Sequence, residues 1–201
     1  MKIFLSSAYF PNTQYFSIVS NCQHIVIEKY ESFVKQSYRN RATIATANGL
    51  YNLIVPVCHA KSGKILTKDV KISYIENWQH QHKIAIMSAY GSAPYFEYFS
   101  DFIFDVFSKK FLFLLDLNNY ILENLCKILK INYKLEFTDN FERQLENDYR
   151  FSISPKIKIE NISIFKPYIQ VFSDRFDFFP NLSIIDLLMN TGAEAKKYLI
   201  I

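Results

Sequence analysis

Seven consecutive residues, Lys35-Gln36-Ser37-Tyr38-Arg39-Asn40-Arg41, carry three cations and four hydrogen-bonding side chains just ahead of a strong hairpin signal. Arg39 and Arg41 stand two apart, so an extended segment would direct both to one side, where together they could grip a diphosphate or a carboxylate. Lys35 adds a point charge, and Tyr38 and Asn40 add uncharged groups suited to orienting a ligand. The competing reading pairs these cations with the nearby Glu28 and Glu31 as a surface network. The uncharged groups favour ligand binding.

A second constellation, Ser6-Ser7-Ala8-Tyr9-Phe10-Pro11 with Gln14, follows the first apolar run. Ser7, Tyr9 and Gln14 would surround a turn where the backbone N–H groups of a helix start can receive an anionic or carbonyl oxygen. The same residues also suit an ordinary helix start capped by Ser or Asn. Trp78, His80 and His82 form a third group. Residues two apart on a helix point to nearly opposite sides, and no third ligand stands nearby, so a metal site is not expected. Either His80 or His82 could serve as a single general acid or base, and the alternative is a histidine that caps or packs beside Trp78. Asp186 falls with Ser183 and Asn190 on a single polar stripe of an otherwise apolar helix, which must face either water or a polar pocket. No nucleophile-elbow sequence supports a Ser-His-Asp triad. Cys22, Cys58 and Cys126 lie far apart and form no C-x-x-C pair, so neither a disulfide framework nor a zinc site is indicated.

The elements that must position these residues read as an α/β fold: a mixed sheet with a central β-hairpin, helices following, and a helical C-terminal segment. Lys2 to Ser6 is a first strand, Pro11-Asn12-Thr13 starts a helix, and His24 to Ile27 is a second strand. That order opens an α/β unit, in which ligands tend to sit beyond the carboxyl ends of the strands. Residues 42 to 57 form a hairpin around Asn48-Gly49, and Val70 to Ile75 offers another strand after the Ser62-Gly63 turn. Helical stripes follow at Ile84, Met87 and Tyr90, at Phe96, Phe99, Ile103 and Phe107, and at Leu114, Leu117, Ile121, Leu125 and Ile128. Tyr133 to Phe137 suggests a return strand. Residues 140 to 150 suggest a charged helix with Glu142, Arg143, Glu146 and Arg150 in water, and 151 to 168 a loop plus an edge strand. A last helix spans Asn181 to Asn190 and ends at Gly192.

The 201 residues, half of them apolar, suffice for one substantial core. We expect a single domain over 1–201, mainly strands with one helix through 76 and mainly helical with one or two strands beyond. Four Gly and six Pro exclude Gly-rich phosphate loops, and neither G-x-G-x-x-G nor a Walker sequence occurs. The sequence leaves the cofactor open. With 23 cations against 19 anions and no basic stripe beyond 35 to 41, nucleic acid is not an expected partner. The N-terminus is too short in apolar run for a signal peptide and no segment is long enough to span a membrane, so a cytoplasmic protein is expected.

Spread along almost the whole chain are further segments: Lys68-Asp69-Val70-Lys71-Ile72-Ser73, Asn77-Trp78 with His80 and His82, Ser88-Ala89-Tyr90, Pro94-Tyr95-Phe96-Glu97-Tyr98, Tyr168, Gln170-Val171-Phe172 and Pro180 to Leu188. With Tyr9, Pro11, Gln14, Tyr15, the basic loop and Asn48-Gly49, they make the chain resemble the WbqC-like family, found among genes for bacterial surface polysaccharides, O-antigen included. Many members of that family continue His-Gln-Pro after the first strand, whereas this chain has Ser6-Ser7-Ala8, so any role of that histidine has no bearer here. The resemblance implies a glycan pathway, and three functions are weighed within the residues. The first is a transferase acting on an anionic nucleotide-linked sugar, by acyl or aminoacyl transfer, with Arg39 and Arg41 on phosphates, Tyr9, Gln14 and Asn40 orienting the acceptor and His80 or His82 as base, in one pocket that joins the first loop, the basic loop and Trp78 and that the Asp186 stripe would close. The second is a binding or assembly module, able to self-associate into a homo-oligomer through Tyr95, Phe96, Tyr98 and Phe99. Nucleic-acid binding is the weakest.

Overall fold

A computed structural model of the chain describes residues 2–58, 63–157 and 165–199. Strands β1 (Lys2–Ser6) and β2 (His24–Glu28) pair in parallel, from Lys2 opposite His24 to Ser6 opposite Glu28, and helix α1 (Thr13–Ser20) makes the crossover. Strand β5 (Lys134–Phe137) joins the other edge of β2, also in parallel, giving the order β1-β2-β5. Central β2 is buried at Ile25, Val26, Ile27 and Glu28. A near-continuous apolar run suits a parallel strand covered on both faces, and the one carboxylate in it stands at the carboxyl end.

The hairpin of β3 (Arg41–Thr46) and β4 (Gly49–Ile54) turns at Asn48-Gly49, where Gly49 takes φ +99. The α/β class holds, but this hairpin forms a sheet of its own rather than the centre of a mixed one. The outer edge of β3 is already occupied. Ser183 donates its backbone N–H to the Thr43 carbonyl at 2.8 Å, and the Ala45 N–H donates to the Tyr90 hydroxyl at 3.3 Å.

Three helices follow: α2 (Trp78–Tyr90), α3 (Phe96–Ser108) and α4 (Leu114–Ile128). On α3 and α4 the expected stripes face the core, with Phe99, Ile103, Phe107, Leu114, Leu117, Ile121 and Leu125 all buried. On α2 the expected face is wrong at two of three positions. Ile84 and Met87 are 49% and 42% exposed, and the buried side is Trp78, His82, Ile86, Ala89 and Tyr90. The rings of Trp78 and His82 pack against Phe107 and each other, and this large aromatic contact sets the rotation of the helix.

Val70 to Ile75 is not a strand; Lys71 and Ile72 make only isolated bridges to Phe113 and Val57 after a 3-10 turn at Thr67–Asp69. Residues 140 to 150 are not helical. Asp148 bridges Phe4 beside β1, and Arg150 is buried instead of solvated because it pairs with Glu28. Of the stretch 151 to 168, residues 158–164 lie outside the described residues, and the rest holds no strand. The last helix, α5 (Ile184–Thr191), is capped by Ser183 and ended by Gly192 at φ +58, and a 3-10 segment, Gly192–Tyr198, follows. Every residue of α5 except Asn190 is buried. No helix among the described residues is long and apolar enough to cross a membrane.

Candidate functional site

The loop Lys35 to Arg41 sits over the carboxyl ends of the parallel strands and separates two environments. Residues 38 and 39 form a turn rather than an extended segment, with the Asn40 N–H reaching the Ser37 carbonyl. Arg39 and Arg41 therefore do not share a side, and the expected joint grip is not formed. The loop is pinned at Tyr38, whose carbonyl accepts from the Tyr9 N–H at 2.8 Å, and at Asn40, which exchanges bonds with Val55 through its backbone carbonyl and its side-chain amide.

Inward, Arg39 is 7% exposed and donates from Nε to Glu31 Oε1 at 2.8 Å and from Nη2 to Glu31 Oε2 and to Ser6 Oγ. Asn118 of α4 donates to Ser7 Oγ at 2.7 Å and to the Arg39 carbonyl at 2.8 Å. Beside this pair lies another. Glu28, fully buried at the end of β2, accepts from Arg150 at 2.7 Å, from Thr138 Oγ1 and from the Tyr30 N–H, while Arg150 also holds Asp148. Two buried charge pairs at one end of a sheet are costly to desolvate and stable only when every lone pair is met. Here both carboxylates are fully engaged. The gap left among Ser6, Ser7, Tyr15, Tyr38, Arg39, Tyr149 and Arg150 is about 10 Å³, room for roughly one water.

Outward, the same loop lines a cleft of about 330 Å³ whose polar lining is Lys35, Gln36, Asn40 and Arg41 and whose apolar lining is Phe33, Ile54, Val55, Pro56 and Val57. Among the described residues no carboxylate pairs with Lys35 or Arg41. Gln36 takes φ +57, which turns the chain at the rim.

Tyr9, Trp78 and His82 lie together in the core behind the hairpin. The Tyr9 hydroxyl is 2.9 Å from His82 Nδ1, and the rings of all three are in contact. Burial pushes the His82 imidazole down to about 4, opposed by its hydrogen bond to the Ile54 carbonyl. The ring is therefore neutral at pH 7 and shares a hydrogen bond with the hydroxyl of Tyr9, whose phenol burial drives well above its ordinary range. His82 reaches the cleft only through the backbone of Ile54. Phe10 follows Tyr9 at φ +36, an uncommon conformation for a bulky residue, held by the Ser183 hydroxyl on its carbonyl at 2.9 Å.

The remaining candidates stand elsewhere. His80 is exposed beside Asn77, Gln79 and Lys83 in a separate hollow. Gln14 and Asn181 bond each other, tying α1 to the approach of α5, and Asn12 caps α1 through the Tyr15 N–H. Asp186 faces a polar pocket rather than water: it accepts from Tyr90, Tyr168 and Gln170 in the core, and burial raises its carboxyl above the usual range. A single site joining Arg39, Arg41, Tyr9, His80 and Asp186 is thus not formed. Of the residues that build the buried pairs, Glu28 and Glu31 had a signal in their nearness to the loop. Arg150 and Asn118 had none, since their partners are more than a hundred positions and seventy-nine positions away.

Residues 6–161 match the profile of the WbqC-like protein family. The chain belongs to the WbqC-like protein family. The family match takes in both charge pairs, the cleft and the Tyr9, Trp78 and His82 cluster. The chain is also similar to the uncharacterized protein Rv1507c of Mycobacterium tuberculosis (strain ATCC 25618 / H37Rv), 26% identical over 97% of this chain and 95% of that protein. No solved structure matches it.

Proposed function

We propose that this WbqC-like protein is an enzyme of bacterial surface glycan biosynthesis that binds a nucleotide-linked sugar in the Lys35 to Arg41 cleft and acts on it by acyl or aminoacyl transfer. The observation that carries this reading is the contrast between two arginines two residues apart. Arg39 is consumed by Glu31, whereas Arg41, with Lys35 beside it, faces a cleft that offers no carboxylate. Unneutralised cations beside an apolar lining suit a ligand that is anionic at one end and planar and apolar at the other. Asn40 and Gln36 supply uncharged contacts to sugar hydroxyls. His82, held neutral by burial, positions the Ile54 edge of the cleft.

A binding or assembly module is the second reading, favoured by one observation: none of the described residues lining the cleft is a carboxylate, an imidazole or a thiol. Thermal-shift titration with nucleotide-linked sugars, followed by a transfer assay with acyl donors, separates the two. A ligand at a hundred times its dissociation constant adds about 2.7 kcal/mol, roughly 5 to 10 °C for a chain of this length. The shift is expected in wild type and in Arg39→Ala, on a lowered baseline, and lost in Arg41→Ala. No shift with any nucleotide-linked sugar overturns the substrate class. A shift without transfer moves the assignment to the binding module.

A further inference from the structure

A larger cavity, about 390 Å³, opens between the first turn of α3, the end of α4 and the 3-10 segment after α5. It shares no residue with the cleft. Phe99, Ile128 and Leu129 make an apolar floor, and Tyr98, 79% exposed, stands at the mouth with its ring edge-on to Phe99. Gly192 and Ala193 add no bulk. The charged residues that line it are Lys130 and Lys196, and no acid does. Neither lysine pairs with a carboxylate among the described residues, since nearby Glu194 is taken by Lys197. Lys130 also sits at φ +51, one past the cap of α4. That position ordinarily takes glycine or asparagine, and a lysine held there against the local preference points to a use for its side chain.

We propose that this cavity binds one molecule of an amphipathic anion, an aliphatic chain ending in a phosphate or carboxylate. The tail lies on Phe99, Ile128 and Leu129 under Tyr98, and the head group lies between Lys130 and Lys196. The argument is charge complementarity: two cations without a counter-charge at the rim of an apolar floor are met by a ligand of opposite sign with an apolar body.

The test is calorimetric titration of the full chain with decyl phosphate and decanoate below their micelle concentrations, beside neutral 1-decanol and sedimentation with anionic phospholipid vesicles. Saturable binding of one anion per chain is expected, with decanol weaker by about tenfold or more. Lys130→Gly/Lys196→Gln should weaken the anion to the level of decanol without lowering the melting temperature, because glycine suits φ +51 better than lysine. Ala193→Trp, at an exposed position, should abolish binding by filling the cavity, and Arg41→Ala should leave it unchanged. Equal binding of decanol and decyl phosphate, binding that survives Ala193→Trp, or loss in Arg41→Ala overturns the proposal. So does sedimentation with vesicles without binding of the monomeric anion, which would assign the lysines to a membrane surface.

Discussion

Arg39 and Arg41 differ by two positions and by everything that decides an arginine's use. Removing the guanidinium of Arg39 leaves Glu31, 4% exposed, as a buried charge without its partner. Arg39→Ala should therefore cost about 3 to 5 kcal/mol in urea unfolding, and Arg41→Ala less than about 1 kcal/mol. His82 supplies a pH signature. Its folded pKa of about 4 lies below the 6.5 of an unfolded histidine, so below pH 6.5 the unfolded chain binds the proton that the folded chain refuses. Stability from this group is complete above pH 6.5 and is lost as pH falls toward 4, by roughly 3 kcal/mol in all. Urea midpoints measured from pH 7 to pH 4 should fall more steeply for wild type than for His82→Gln. Parallel curves would show that the ring does not carry the effect. At this scale the composition of the loop is legible in the sequence, but its division between an inward and an outward arginine is not. Alternation predicts a shared side only in an extended chain, and the turn at Tyr38 and Arg39 forms because Glu31, Ser6 and Asn118 draw Arg39 inward.

Among the elements, the ones with a strong local signal were readable: the Asn48-Gly49 hairpin, the first two strands, α3 and α4. Long-range partners decided the others. The rotation of α2 follows from the ring contacts of Trp78 and His82, which the spacing of Ile84, Met87 and Tyr90 cannot report. The stretch 140 to 150 carries helix-forming charges, yet it runs along β1, with Phe4 bonded to Asn147 and Tyr149 on either side. Its anchor is one side chain. Arg150 links it to Glu28 of β2, while Phe141 and Phe151 flank the guanidinium at 5.2 Å. Arg150→Ala should cost about 3 to 5 kcal/mol through the stranded Glu28 and raise amide exchange across 139 to 150 ahead of the rest of the molecule. Uniform exchange, with no lead in that stretch, would mean that the anchor lies elsewhere.

For the molecule as a whole, the family match ends at residue 161 and the core does not. Ile184, Ile185, Leu187, Leu188 and Met189 are each at most 1% exposed and belong to the same apolar cluster as the parallel sheet. Asp186 ties α2 to Tyr168 and Gln170, and Ser183 holds both β3 and Phe10. A chain cut after 161 should show no cooperative thermal transition, whereas the full chain shows one by circular dichroism. A sharp transition in the shortened chain would make α5 an accessory.

The order of the strands also dictates a timetable for synthesis on the ribosome. Strand β2 emerges early, but its second neighbour, β5, emerges only after the hairpin and three helices, and the cover for the outer edge of β3 comes later still, with Ser183. A nascent chain must therefore carry a half-finished parallel sheet and an open hairpin edge while all three intervening helices are made, the interval in which unpaired strand edges recruit other chains. The segment that closes it, around Ser183, is made after the elements it covers.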